Sequence, residues 1–292
     1  MERKEQMDLF GATALILFAV HLAFNQVVIK VTSDGFSPVF QAGVRSAGAI
    51  AVLLIWMRWR GISLVVPRRA WAAGLLSGTL FAFEFMCLFS ALDVTTVGRA
   101  SIIFYSMPVW LALVGHVFLP GERLSGLRAL GFALAMAGVV VALADRSGGA
   151  ASWAGDLLAL ASAFSWVGIV LCVRLTPLVE VPAAQQLICQ VLVSAPLLLL
   201  IAPLFGPLLR EPDLLHVSGL LFQIVAVASL GFLSWFWLMS IYPAASVASF
   251  SFLSPVASVF LGWLLLGEAL GPGVYFALLL VACGLFLINR KA

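Results

Sequence analysis

Long apolar runs, each about the length of a spanning helix, alternate along the whole chain with brief polar or Gly/Pro-marked breaks. The breaks recur about every 29 residues and divide the chain into ten segments, at about 9–31, 37–57, 70–91, 97–118, 125–144, 154–175, 182–203, 215–241, 246–266 and 272–289. A helix needs about 20 apolar residues to cross the hydrocarbon core, and each segment comes close to that length. None shows the period-two alternation of barrel strands, and an open sheet would leave unpaired N–H and C=O groups in lipid. The pattern predicts an all-α integral membrane protein of ten transmembrane helices. The connections are too short to hold a soluble domain.

Two stretches of the pattern repeat. From Ser106 the chain reads SMPVWLALVGHVFLPGERLSGLRALGFALAMAGVVVAL, and from Leu253 it reads LSPVASVFLGWLLLGEALGPGVYFALLLVACGLFLI. Pro108 aligns with Pro255, Gly121–Glu122 with Gly267–Glu268, and Gly138 with Gly284, with one residue of slippage. Gly11 likewise aligns with Gly155, Lys30 with Arg174 and Pro38 with Pro182. The chain therefore divides into two five-helix repeats, residues 1–147 and 148–292. An odd number of spans per repeat makes the second copy enter the membrane inverted, a plan common among secondary transporters. Two inverted copies can support inward-open and outward-open packings of similar energy, which is the basis of alternating access. A duplicated structural bundle or a doubled membrane enzyme stands as the competing reading.

Composition agrees with this picture: 63% of the 292 residues are hydrophobic, 10% are charged and the mean hydropathy is +1.13. With the N-terminus in the cytoplasm, Arg3, Lys4, Arg58, Arg60, Arg68, Arg69, Arg123, Arg128, Arg174, Arg290 and Lys291 fall inside, against Lys30, Arg99, Arg146 and Arg210 outside. That asymmetry predicts both termini in the cytoplasm of a multi-pass inner (plasma) membrane protein. The net charge of +3 needs no nucleic-acid partner to explain it. The opening MERKEQMD precedes an apolar run too long for a signal-peptide core, and no small-residue cleavage pattern follows, so the segment is expected to be retained. Cys87, Cys172, Cys189 and Cys283 fall inside spans without metal-ligand spacing, so neither a disulfide nor a metal site is expected.

Within the spans, charge is rare and therefore informative. Glu84, in FAFEFMCL, lies about seven residues from the outer end of segment three, roughly 10 Å deep at about 1.5 Å per residue. Arg45 lies at nearly the same depth in segment two, so the two can form a buried ion pair that offsets each other's desolvation. The alternative is that Glu84 faces a central cavity with Phe81, Phe85 and Leu88 and holds a substrate ammonium or a proton. Matching CLFSAL to WLMSIY sets Glu84 opposite Ser234 and Phe85 opposite Trp235, on the face that includes Gly231 and Leu238. His21 and Asn25 fall one turn apart near the middle of segment one, and Trp166 in segment six can wall the same cavity. Ser101, Tyr105 and Pro108 share a face of segment four, mirrored by Ala248, Phe252 and Pro255 with Ser251 adjacent. A proline inside a helix frees a carbonyl and allows a bend, so Pro108 and Pro255 are the hinge candidates. One acid, one histidine, several hydroxyls and many aromatic rings suit a small zwitterion with an apolar side chain, and amphipathic drugs fit almost as well.

Ten spans in two inverted halves, the PGERL and LGEAL turns, the two prolines and the basic ends of segments one and six together resemble the drug/metabolite transporter superfamily, EamA type. Within that family FAFEFMCLFSALDVTT looks most like the aromatic amino acid exporters, except that Phe83 stands where their pattern tends to place tyrosine. The resemblance implies a secondary carrier that exports small amphipathic metabolites, aromatic or hydrophobic amino acids first among them, with multidrug export as the alternative. Its expected partners are a small-molecule substrate and the lipid bilayer, with a monomeric chain and no cofactor. No GxSxG, HExxH, phosphate-binding GxxxxGK or paired intramembrane aspartate suggests an enzyme.

Overall fold

The computed structural model describes residues 8–118, 126–145, 152–242, 250 and 253–289. In chain order the helices are α1 Leu9–Ser33, α2 Pro38–Trp59, α3 Trp71–Val94, α4 Val97–Phe104, α5 Met107–Phe118, α6 Gly126–Ala144, α7 Trp153–Leu175, α8 Ala183–Ile201, α9 Leu214–Phe222, α10 Phe232–Ile241, α11 Leu253–Leu266 and α12 Pro272–Asn289. The described residues form no strand, and an isolated antiparallel bridge joins Phe36 to Leu209. Among them, seven helical stretches are long and apolar enough to cross a membrane: Leu9–Ser33, Pro38–Trp59, Arg68–Val94, Val97–Gly115, Trp153–Leu175, Ala183–Phe205 and Leu214–Trp235. The apolar helices Ala129–Ala144, Leu253–Leu266 and Pro272–Leu287 are shorter. Seven described spans thus stand where ten were expected, with shorter helices at the fifth, ninth and tenth positions.

Two expected spans are not uniform helices. Segment four divides at Tyr105 and Ser106 because Pro108 has no N–H to give the Phe104 carbonyl and its ring crowds that turn. Ser106 ties the break together: its hydroxyl donates to the Ile103 carbonyl at 2.6 Å and accepts from Trp110 Nε1 at 2.9 Å. Pro108 is therefore the second residue of α5, and Pro255 falls in the first turn of α11. Both prolines lie in the first turn of their helices, where a missing N–H costs nothing. Segment eight passes from α9 into a π-helix, Gln223–Gly231, and then into α10.

The helices form two compact units, each drawing on both halves of the sequence. The first comprises Met1–Val27, Val94–Phe164 and Trp237–Ala292. In it α6 and α12 approach closely through the two aligned glycines: a Cβ on Gly138 would meet the Ala277 carbonyl oxygen at 2.8 Å, and one on Gly284 would meet the Gly131 carbonyl oxygen at 2.5 Å. Small residues let helix backbones meet where lipid offers no hydrophobic drive for association. Around this contact Ile102, Val109, Ala135, Val139, Val259 and Val281 form a buried core.

Charges organise one end of the same unit. Arg99 donates from Nε to Asp156 Oδ1 at 2.6 Å, from Nη2 to Asp156 Oδ2 at 2.9 Å and from Nη1 to the Asp145 carbonyl at 2.6 Å. Glu268 accepts from the Val97 and Gly98 amides at 2.7 and 3.2 Å, supplying a negative charge at the N-terminus of α4. Asp145 Oδ2 accepts from the Val274 amide at the start of α12. Asp8 accepts from the Gly11 amide, and Ser152 accepts from the Gly155 amide, so the aligned glycines begin α1 and α7 under similar caps.

The second unit comprises Val28–Asp93 and Ser165–Phe236. Here α8 packs on α2 and α3: a Cβ on Gly78 would come within 2.5 Å of Val193 Cβ. Gln190 donates to the Ser77 hydroxyl at 2.9 Å, and the Ser194 and Ser46 hydroxyls are 3.1 Å apart. Arg210 pairs with Asp93 at 2.8 Å, and Arg69 pairs with Glu180 on an exposed edge.

Arg99 and Asp156 are 3% and 0% exposed, so removal of one leaves the other buried without its counter-charge. Asp156→Ala is expected to destabilise the protein by about 3–5 kcal/mol, against a smaller loss for Asp156→Asn, which keeps an acceptor. Unfolding curves in mixed micelles measure both.

Candidate functional site

The richest polar arrangement in the second unit is built by the buried faces of α2 and α3. Residues Gln41, Arg45 and Ala49, one turn apart, are buried on α2. On α3, Phe81, Glu84, Phe85, Leu88 and Phe89 are buried at helical spacing. Glu84 is 3% exposed and Arg45 1%. The guanidinium carbon of Arg45 lies 3.7 Å from the Phe85 ring centroid and 5.1 Å from that of Phe89, an arrangement in which the ring face attracts the cation. Phe85 stands edge-on to Phe81 at 4.6 Å, and Phe81 reaches Phe232 at 6.4 Å, so the cation sits against a continuous aromatic run.

The Arg45 and Glu84 charges are close enough to feel each other. Even so, Arg45 Nε and Nη2 have no hydrogen-bond partner among the described residues. The expected ion pair is thus a charge neighbourhood, without the forked hydrogen bonds that Arg99 makes with Asp156.

Beside this group runs a buried amide chain that sequence reading missed. Gln41 Nε2 donates to Gln223 Oε1 at 3.2 Å, Gln223 Nε2 donates to Thr32 Oγ1 at 3.3 Å, and the Ser33 hydroxyl donates to Gln41 Oε1 at 3.2 Å. The available signal was Gln41, one turn before Arg45, together with a lone glutamine in segment eight. Trp166 is half-buried, and its neighbour Ser165 donates to the Leu80 carbonyl at 2.7 Å. Trp235 is half-buried, but Ser234 is exposed, unlike the buried Glu84 it was matched to. The π-helix before it supplies the reason, because its wider turn shifts the face that every later residue presents. Phe83, where the family pattern tends to place tyrosine, is 45% exposed, off the face that carries Glu84.

In the first unit, Asn25 and Ser101 are buried, and neither Asn25 Oδ1 nor Ser101 Oγ has a hydrogen-bond partner among the described residues. The same is true of Gln26 Oε1, Ser162 Oγ and Ser258 Oγ. His21 is half-buried, with its ring 6.5 Å from that of Phe18. Tyr105 is buried, with the Gln26 and Ser254 side chains at its hydroxyl. Ser251 and Phe252 lie outside the described residues. Among the described residues no three His, Cys, Asp or Glu side chains gather as a metal site.

The sequence profile of the EamA-like transporter family matches the chain twice, over residues 9–144 and 153–290. A probable amino-acid metabolite efflux pump of Escherichia coli is 29% identical over 305 residues, covering 98% of this chain and 95% of its own. An uncharacterized inner membrane transporter of the same organism, YedA, is 25% identical over 307 residues, covering 100% and 96%. The aromatic amino acid exporter YddG of Ancylobacter novellus is 31% identical over 143 residues, 48% of each chain. A protein crystal structure superposes with a TM-score of 0.67 at 25% identity, over 96% of both chains.

The amide chain can be tested by its own logic. Gln41→Leu leaves Gln223 Oε1 buried without its donor, at an expected cost of about 1–3 kcal/mol, whereas adding Gln223→Leu recovers much of the loss by removing the orphan. A double-mutant cycle on unfolding free energy checks this.

Proposed function

Since the chain belongs to the EamA-like transporter family, we propose that it exports small amphipathic metabolites, amino acids first among them, across the inner membrane by alternating access. It is a transporter and not an enzyme. The observation that carries the substrate class is Glu84, a carboxylate held at 3% exposure in an apolar helix beside Arg45 and a run of phenylalanines. Such a group is costly in a membrane and characteristically marks a substrate or ion path. Its chemistry suits a substrate ammonium, with aromatic rings for the apolar body.

The names of the relatives favour the same class, since one is a probable amino-acid metabolite efflux pump and another an aromatic amino acid exporter. His21, Asn25, Ser101, Tyr105, Trp166 and Trp235 are the further substrate-contact candidates; the half-buried rings of His21, Trp166 and Trp235 and the unpartnered Asn25 Oδ1 and Ser101 Oγ support that role. The double profile match, the similar caps on α1 and α7 and the reciprocal glycines of α6 and α12 support two five-span repeats. Five spans per repeat would invert the second copy, and the excess of basic residues in alternate loops favours both termini in the cytoplasm.

Counterflow of radiolabelled amino acids into liposomes holding the purified chain tests the proposal. Glu84→Gln is expected to lower flux about tenfold or more, and His21→Ala to lower it by less. Unchanged flux in both variants, alongside an Arg45→Ala protein that fails to fold, would make the buried polar residues structural.

A further inference from the structure

Among the described residues two arginines are buried, and they meet the same physical problem with different outcomes. Arg99 presents its Nε–Nη2 edge to the two oxygens of Asp156 at 2.6 and 2.9 Å, which satisfies the fork within the protein. Arg45 is as deeply buried, yet the same two atoms of its guanidinium have no hydrogen-bond partner among the described residues. A buried polar group without a partner carries its whole desolvation penalty, and a charged one carries more. The planar fork matches a carboxylate and accepts it bidentately. Glu84 is near enough to balance the charge of Arg45 but leaves that edge open.

We infer that the Nε–Nη2 edge of Arg45 is the carboxylate anchor of the substrate site, and that its ligand is a zwitterion whose ammonium goes to Glu84. The inference rests on the transport reading above and narrows its substrate class. With both groups ionised, Arg45 and Glu84 together are neutral, so a zwitterion keeps the site neutral when it binds. A lone anion or a lone cation would instead leave an unbalanced charge away from water, which is the most expensive arrangement in a low-dielectric surrounding. Phe85 helps hold the guanidinium in place from its ring face, which leaves the edge of the fork for the ligand. Arg45 is 1% exposed, so the carboxylate enters in a conformation that uncovers this edge.

The test compares three probes of one shape on the purified full chain: L-phenylalanine, its methyl ester and 3-phenylpropionate. Binding is followed by tryptophan fluorescence, and flux by counterflow in liposomes. The expected result is that phenylalanine binds about 10- to 100-fold tighter than either probe lacking one charge. Arg45→Gln should weaken phenylalanine by a similar factor while leaving the cationic ester no weaker or somewhat tighter, because Glu84 alone balances its charge, so the ratio between them collapses. Arg45→Lys, which keeps the charge without the fork, should fall between. A merely structural arginine would weaken all three probes together.

If the ester binds and moves as well as phenylalanine in the wild type, the inference fails and the transport reading stands. Equal binding of 3-phenylpropionate overturns the requirement for an ammonium. If none of the three binds or moves, the amino-acid reading and the inference fail together. Should Arg45→Gln not fold, the wild-type ratios and Arg45→Lys still decide the matter.

Discussion

A guanidinium taken out of water must find a counter-charge and acceptors for its N–H groups, and most of the polar organisation in this protein follows from that constraint. Lipid cannot supply either, and a buried ion without partners is among the costliest features a membrane helix can carry. Arg99 meets the requirement internally: Asp156 takes the fork, and the Asp145 carbonyl takes a third N–H. The same residue thereby ties the start of α4 to the end of α6 and the first turn of α7. Among the described residues Arg45 has only the nearby carboxyl group of Glu84 as an opposite charge, and its guanidinium lies against the Phe85 ring.

Helix ends raise the same issue in weaker form, because the first amides of a helix have no partner within it. Glu268 answers for α4 and Asp145 for α12, each from a distant part of the sequence. These caps make the loops part of the fold, since each carboxylate fixes where another helix begins. Close backbone approach at Gly138 and Gly284 then joins α6 to α12 without needing a hydrophobic drive that lipid would not provide.

Much of this was legible in the sequence, and the parts that were not share a cause. Span positions could be read because length and hydropathy are local properties, and α1, α2, α3 and α7 lie close to where the apolar runs put them. Glu84 and Arg45 could be singled out because charge inside an apolar run is conspicuous. Arg99 was counted with the loop cations, and counting loop charges does not reveal that Asp156 lies across from it. Pro108 announced a disturbance, but only its location in the first turn of α5 shows a broken helix and not a bent one. The π-helix at Gln223–Gly231 carries no proline to announce it, and matching segment eight onto segment three set the buried Glu84 opposite Ser234, which is exposed.

The buried polar atoms therefore fall into two groups that the sequence does not distinguish. One group has its partners in the chain: Arg99 with Asp156, Gln41 with Gln223, Glu268 with the α4 amides. These interactions hold helices in fixed relation, and their value lies in geometry that does not change. The other group, Arg45 on α2, Asn25 and Gln26 on α1, Ser101 on α4, leaves donors or acceptors unused among the described residues. A folded protein rarely tolerates such atoms unless water, an ion or a ligand answers them in some state. A carrier has a reason to tolerate them, because a site satisfied by its own chain would have nothing left with which to hold its cargo. The open fork of Arg45 is the clearest case, since the chain shows at Arg99 how readily the same edge is closed when structure is all that is required.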